Sequence, residues 1–284
     1  MSCENNNYTR TPPDLNFPLL TTRGNVDNNA YRWSSEEIQK QLYSTDILLI
    51  SDDDAFIACY SHMKQVKRAY SKKLGMVDFG RFGDDNDEYV KVALMRRSNG
   101  ASDTQTAVTN AAGILCPKVA LLVGICEAMK PEKAKRGDVV ISARLADVVS
   151  NTANPVSRNM AKLNLYAADG WNPPLKDTTN FEVDVHRQAL MLSVPDVIKY
   201  CGRQLEDLKN LFPDAIAIEI GGIGLYKAAH DLKMEWTIIR GVSTLAGESD
   251  SAEVAKLWKR FASAMAASVV HNMFKSPVVL ETWH

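Results

Sequence analysis

Five short stretches of this chain carry side chains that could do chemistry. Arg96-Arg97-Ser98-Asn99-Gly100 ends an apolar run and precedes Thr104. Backbone N–H groups of Ser98 and Gly100 at the following helix start, with Arg97 and Thr104, could hold a phosphate. Gly124 is followed closely by Cys126-Glu127-Ala128, and Leu192-Ser193-Val194 ends a second apolar run. Glu219-Ile220-Gly221-Gly222 and Arg240-Gly241-Val242-Ser243-Thr244 complete the set. Glu127, Glu219 and Glu248 are candidate acids for proton transfer. Thr244 can donate a hydrogen bond but cannot supply a proton at neutral pH as a carboxylic acid does. The Gly221-Gly222-x-Gly224 run is a weak dinucleotide signature, and no acidic ribose partner follows it in a proper context.

Each of these residues also has a purely structural reading. Gly124 suits the close approach of another group to a strand. Adjacent Arg96 and Arg97 suit a solvated surface, and Ser102 or Asp103 an ordinary helix cap. Asp138 suits a loop closure and Arg240 an internal ion pair. Ser193 suits the cap of a helix starting at Pro195. No pair among His62, His186, His230, His271 and His284 has the i, i+4 spacing of metal ligands, so no metal is expected. The five cysteines are scattered with no C-x-x-C, which argues against a disulfide framework. Cys116 and Cys126 read as buried packing residues.

The elements that must position these residues alternate between strand and helix. Residues 46–51, 89–95, 118–125, 137–142, 215–220 and 235–242 read as strands. Helices are expected at 34–42, with Ser34 and Ser35 as caps, and at 55–70, 103–115, 156–168, 195–211, 223–232 and 251–274. Continuous apolar strands imply a sheet covered on both faces. The fold class is therefore α/β: a single three-layer domain with a mixed, largely parallel central sheet flanked by helices. Ligands of such sheets bind at the carboxyl ends of strands, here just after residues 51, 96, 124, 193, 219 and 241. Residues 1–34, rich in Asn, Thr and Pro, read as an extended or disordered arm or one lying on a partner, with the domain over 35–284. The acidic run at 84–88 reads as a solvated loop.

Residues 118–142 and 215–244, with ALMLSVP at 189–195 between them, resemble in order and spacing three segments of the nucleoside phosphorylase and nucleosidase superfamily. The likeness spans roughly residues 44–275. It looks closest to animal nucleoside-phosphorylase-like proteins related to nucleosidases that attack ATP. The resemblance implies cleavage of the N-glycosidic bond of a purine nucleoside or nucleotide, with phosphate or water as nucleophile, and assembly as a homo-oligomer. It places the phosphate site at Arg97, Ser98, Gly100 and Thr104. It places the base and ribose pocket at Gly124, Cys126, Glu127, Leu192, Ser193, Ile220 and Gly221. The chain departs from the family where the chemistry lies. The family Asp that serves the base falls on Thr244, and the second Glu of Glu-Met-Glu-Gly, which holds the ribose, falls on Gly221. Substituting Thr244→Asp with Gly221→Glu is therefore expected to restore part of any lost cleavage. The alternative is a catalytically degenerate member that binds a nucleotide or works through assembly; a small-molecule sensor is a third class.

Composition bounds the rest. With 33 Lys plus Arg against 34 Asp plus Glu, there is no broad field for nucleic acid or an anionic membrane. At 45% hydrophobic residues, 284 residues can bury a sizeable core without disulfides. The first residues lack the apolar core of a signal peptide, and no apolar run is of membrane-spanning length, so a cytosolic protein is expected. No organic cofactor is expected; phosphate is a possible co-substrate.

Overall fold

The computed structural model describes residues 11–19, 30–42, 45–83, 89–97, 100–194 and 202–275. The first half of the chain holds β1 (Tyr31–Arg32), α1 (Glu36–Leu42), β2 (Ile47–Ser51), α2 (Asp53–His62), β3 (Lys64–Ser71), β4 (Gly75–Gly83), β5 (Tyr89–Arg96), α3 (Ala101–Leu115) and β6 (Val119–Ala128). The second half holds β7 (Val139–Asp147), β8 (Thr152–Pro155), α4 (Arg158–Tyr166), β9 (Val185–Val194), α5 (Gly202–Leu211), β10 (Ala215–Ile220), α6 (Gly222–Leu232), β11 (Glu235–Leu245) and α7 (Ala252–Phe274).

All strands join one mixed sheet flanked by helices, as the alternating pattern requires. Every residue of β2 is buried, because helices cover both faces of a central strand. Parallel pairing joins β2 to β5 and β6, β6 to β11, and β9 to β7 and β10. Antiparallel pairing joins β6 to β10 and β7 to β11. Five strands, β6, β10, β9, β7 and β11, therefore close into a ring, which linear reading of the chain does not show. From β6 the sheet runs outward through β2, β5, β4 and β3 to β1. Helix α7 packs on β6, β11 and α2, and α3 packs on α6. Two glycines permit the closest of these approaches. A Cβ on Gly241 would collide with the Ala262 carbonyl of α7, and one on Gly224 with the Ala101 carbonyl of α3.

The structure corrects several expectations. The helix expected over 55–70 stops at His62, and Lys64–Ser71 is a strand. Tertiary pairing overrides the helical pattern there: β3 forms a hairpin with β4, pinned by a bidentate Arg68–Asp78 pair at 2.7 and 2.8 Å. The glycine-rich β4 escaped notice for want of a strand-like pattern. The strand read over 137–142 runs on to Asp147 and turns back as β8. The helix read over 156–168 is the shorter α4, and of the one read over 195–211 only Gly202–Leu211 lies within the described residues. Cys116 is exposed in a left-handed C-cap rather than buried. The acidic run at 84–88 lies outside the described residues. Among the described residues no helix is long and apolar enough to cross a membrane.

Part of the N-terminal arm lies on its own chain. Asn16 donates to the Pro174 carbonyl and Lys176 to that of Asp14, both at 3.0 Å, while β1 pairs with β3. The Phe17 ring meets His62 at 5.2 Å, and His62 stacks on His271 of α7 at 5.1 Å. Burial, and then the neighbouring His271, pull the His62 pKa from 6.5 down to about 4. The unfolded chain thus takes this proton near pH 6.5 and the folded chain only near pH 4. The contribution is full above pH 6.5 and is lost as pH falls through that window. Between pH 7 and 4 the wild type is expected to lose about 3 kcal/mol more stability in urea titrations than His62→Phe does.

Candidate functional site

The carboxyl ends of six strands converge on one cavity of about 950 Å³, a size suited to a small-molecule ligand. Asp52 and Asp54 follow β2, and Arg96 and Arg97 end β5. Ile125, Cys126 and Glu127 come from β6, Val194 from β9, Ile218 to Ile220 from β10, and Ser243 and Thr244 from β11. Helix α7 and the turn before it close the other side with Glu248, Asp250, Ala255 and Lys259. Arg136 fixes that rim, donating to Glu248 and Asp250 at 2.8 Å while lying over the Trp258 ring.

The inner end is built on a buried ion pair. Arg240 Nη2 donates to Glu219 Oε2 at 2.6 Å and to the Ile220 carbonyl at 2.8 Å, and neither charged side chain reaches solvent appreciably. The other oxygen of Glu219 accepts from the Gly222 N–H at 2.9 Å, at the start of α6, where the helix dipole favours a negative charge. Ser193 Oγ accepts from the Ile223 N–H at 2.9 Å. These two neighbours cap α6 because its own N-cap, Gly221, has no side chain. Ser193 therefore caps α6, and the segment from Pro195 lies outside the described residues.

Gly124 and Gly221 make room for charge. A Cβ on Gly124 would collide with Arg240 Nη1 and lie 2.5 Å from Asp52 Oδ2. The Asp52 carboxylate also caps α2 by accepting from the Ala55 N–H at 3.3 Å. A Cβ on Gly221 would lie 2.6 Å from Arg97 Nη1 and 2.9 Å from Thr104 Oγ1. The guanidinium of Arg97 thus fills the space that a side chain at 221 would need. Nε and Nη1 of both Arg97 and Arg240 are buried without a hydrogen-bond partner among the described residues. Burial, and then the like charge of Arg240, hold the Arg97 pKa down at about 10, against the pull of Asp52, Glu219 and Asp103. The Gly221→Glu substitution expected to rebuild a ribose clamp meets this guanidinium, and it would force an L side chain onto a φ of +96°.

The outer end is mostly apolar. Ile125, Val194, Ile218 and Ile220 line it, with Glu127 and Thr244 among them. In the ladder Val242 faces Cys126 and Thr244 faces Glu127, with an irregular step at Ser243. A bulge of this kind re-aims side chains at a strand end, and it brings both Ser243 and Thr244 to the cavity. Glu127 and Val194 stand in the wall and leave the cavity open. Burial pushes the Cys126 thiol well above its ordinary range, so it is a packing group here.

The structure brings Arg97, Cys126, Glu127, Glu219, Ile220, Thr244 and Glu248 to this cavity. Gly124, Ser193 and Gly221 sit behind its inner end, and the Thr104 hydroxyl donates to the Gly100 carbonyl at 3.0 Å. Leu192 is fully buried in a second apolar cluster with Met129, Leu205 and Phe212. Ser98 lies outside the described residues. Asp138 closes a loop, accepting from the Lys135 and Asp184 N–H groups at 3.0 Å. Sequence reading missed Asp52, although the strand-end rule pointed to the position after residue 51. It also missed Lys259 and Ala255, which one turn of α7 carries to the rim.

No known protein-family profile matches the chain. A "Death domain-containing ATP nucleosidase" of Amphimedon queenslandica is 27% identical over 221 residues, which make up 68% of this chain and 40% of that relative. The chain therefore corresponds to less than half of that protein's length. Among solved structures, the 5′-methylthioadenosine/S-adenosylhomocysteine nucleosidase of Neisseria meningitidis, crystallised with methylthio-immucillin-A, superposes with a TM-score of 0.66. It is 17% identical, and the match covers 81% of this chain and 99% of that one. Futalosine hydrolase of Helicobacter pylori superposes with a TM-score of 0.63 at 12% identity, covering 81% and 97%. The chain has the nucleosidase fold.

The buried Glu219–Arg240 pair yields a direct test of the site's framework. Glu219→Gln leaves the Arg240 charge without its counter-ion and is expected to lower unfolding stability by about 3–5 kcal/mol in chemical denaturation.

Proposed function

We propose that this chain hydrolyses the N-glycosidic bond of a purine nucleoside or nucleotide. The observation that carries this reading is the division of the cavity into two chemically different ends. Gly124, under Asp52 and Arg240, and Glu127, beside Thr244, are three residues apart on β6. That is about 10 Å along a strand, with room for a sugar between the ends. The inner end offers a carboxylate that can take a proton from an attacking water, and guanidinium N–H groups that can orient it. The outer end offers an apolar wall for a flat base and polar groups for the charge it acquires as it leaves. The Arg97 guanidinium, standing where a carboxylate at 221 would be, donates to ribose oxygens where a carboxylate would accept. The nucleosidase fold and the name of the Amphimedon relative support the reaction class.

Charge balance favours water over phosphate as nucleophile. The two guanidinium groups of Arg97 and Arg240 already face the carboxylates of Asp52 and Glu219. Adding a phosphate of about two negative charges would leave an excess of negative charge in a buried site. The free thiols of Cys59, Cys116 and Cys126 suit a reducing compartment such as the cytosol.

Incubating the full chain with adenosine, inosine, AMP and ATP, with and without phosphate, is expected to release free base in phosphate-free buffer. Release that requires phosphate would replace water with phosphorolysis. No release from any of the four, with binding still measurable, would leave a nucleotide-binding protein without cleavage. Asp52→Asn keeps the α2 cap and removes the base; it is expected to lower kcat by about two to four orders of magnitude.

A further inference from the structure

Helix α7 gives the cavity a third wall, distinct from its inner and outer ends. Ala255, Lys259 and Ser263 line it. They recur every fourth residue of one helix, so they form a single row that advances about 6 Å at each step. Packing fixes where the row begins. Gly241 of β11 has no side chain, and the Ala262 carbonyl of α7 lies in the space that a Cβ would take. Gly241 pairs with Ile125 of β6, next to the Arg240–Gly124 pair. Ser263 follows Ala262 and therefore stands where the inner end gives way to the middle of the cavity. Lys259 and Ala255 lead from there to the rim.

Two observations along this row point to a ligand. Ser263 is fully buried, yet its hydroxyl has no hydrogen-bond partner among the described residues. Leaving a buried hydroxyl unpaired is costly, and a ligand oxygen would remove that cost. Lys259 is exposed at the rim and has no ion pair among the described residues. The carboxylates of the same cavity are offset within the protein. Glu219 meets Arg240, and Glu248 and Asp250 meet Arg136. Asp52 lies beside Arg240 and Arg97, and Asp54 and Glu127 have interactions of their own. Arg96, which lies over the Phe56 ring at 4.8 Å, adds a second cation to the wall. An ammonium on a flexible stem suits a phosphate oxygen. The small Ala255 side chain leaves the way past it open.

We propose that the α7 row is a subsite for a phosphate ester carried by the sugar. The Ser263 hydroxyl meets an oxygen of the sugar or of its ester, and the Lys259 ammonium meets the phosphate. Further phosphates run past Ala255 into solvent. This rests on the hydrolytic reading above only in placing a sugar between the two ends. Lys259 and Ser263 are then specificity residues: they set a preference for a nucleotide over its nucleoside, and neither touches the bond that breaks. The charge balance that disfavours phosphate at the buried inner end does not apply here, because water at the rim screens the added charge.

Calorimetry of the full chain tests this with the pairs adenosine and AMP, and inosine and IMP, at low and high salt. In at least one pair the wild type is expected to bind the nucleotide about tenfold or more tightly than the nucleoside, by a margin that shrinks as salt rises. Lys259→Met keeps most of the stem and removes the charge; it is expected to bring the two affinities within about threefold of each other. Ser263→Ala is expected to weaken nucleotide binding about three- to tenfold without lowering the urea midpoint of unfolding, because the hydroxyl it removes has no partner in the free protein. A wild type that binds nucleotide no more tightly than nucleoside, or binds neither, overturns the proposal. So does a nucleotide margin that survives Lys259→Met, or nucleotide affinity unchanged in Ser263→Ala. Turnover is read separately. A nucleotide margin without base release fails the hydrolytic reading and keeps the subsite; base release with equal affinities does the reverse.

Discussion

The carboxylate of Glu219 and the guanidinium of Arg240 meet inside the ring of five strands, and the cavity is arranged around that meeting. Burying two opposite charges costs several kcal/mol each unless their remaining lone pairs and protons find partners. Here the Gly222 N–H and the Ile220 carbonyl supply partners from the same β10–α6 turn. The pair thereby ties β10, β11 and the start of α6 at fixed relative positions. Gly124 has no side chain because the other edge of the same guanidinium crosses above it. The pair thus orders the inner end, where Asp52 comes close enough to share the charge of Arg240.

A second consequence is that two like charges are held side by side next to the carboxylates that offset them. Arg97 lies beside Arg240, and burial adds to their repulsion. Such strain is tolerated where it aids ligand binding. Buried guanidinium nitrogens without partners are a pre-formed set of donors, oriented before a ligand arrives. The outer end is the reverse, an apolar surface with one carboxylate. The two ends of the cavity thus differ in chemistry as well as in position.

Much of this was legible in the residues. Unbroken apolar runs such as Leu48 to Ile50 marked the buried strands, and the strand-end rule led to the right side of the sheet. Gly221 and Thr244 were recognisable as departures at the two positions where chemistry was expected. Three things were hidden for physical reasons. Ring closure depends on β11 pairing with both β6 and β7, a non-local contact without local periodicity. The β3–β4 hairpin was masked because Ala55 to Tyr70 has helical spacing, while the Arg68–Asp78 pair that favours the hairpin links residues far apart in that pattern. The bulge at Ser243 exchanges which side chains face the cavity, and alternation along a strand cannot reveal a change of register. Ser193 shows the same limit: its contact with the start of α6, brought near by β10, links residues far apart in the chain.

The fit of Arg97 over Gly221 also bears on how such a site can change over generations. Position 221 cannot hold an acidic side chain while the guanidinium occupies that space, and losing Arg97 first would leave Gly221 an empty backbone turn. Each change is unfavourable without the other, so the two positions form an epistatic pair. A single substitution at either position is therefore disfavoured, and only a paired change could alter the inner end.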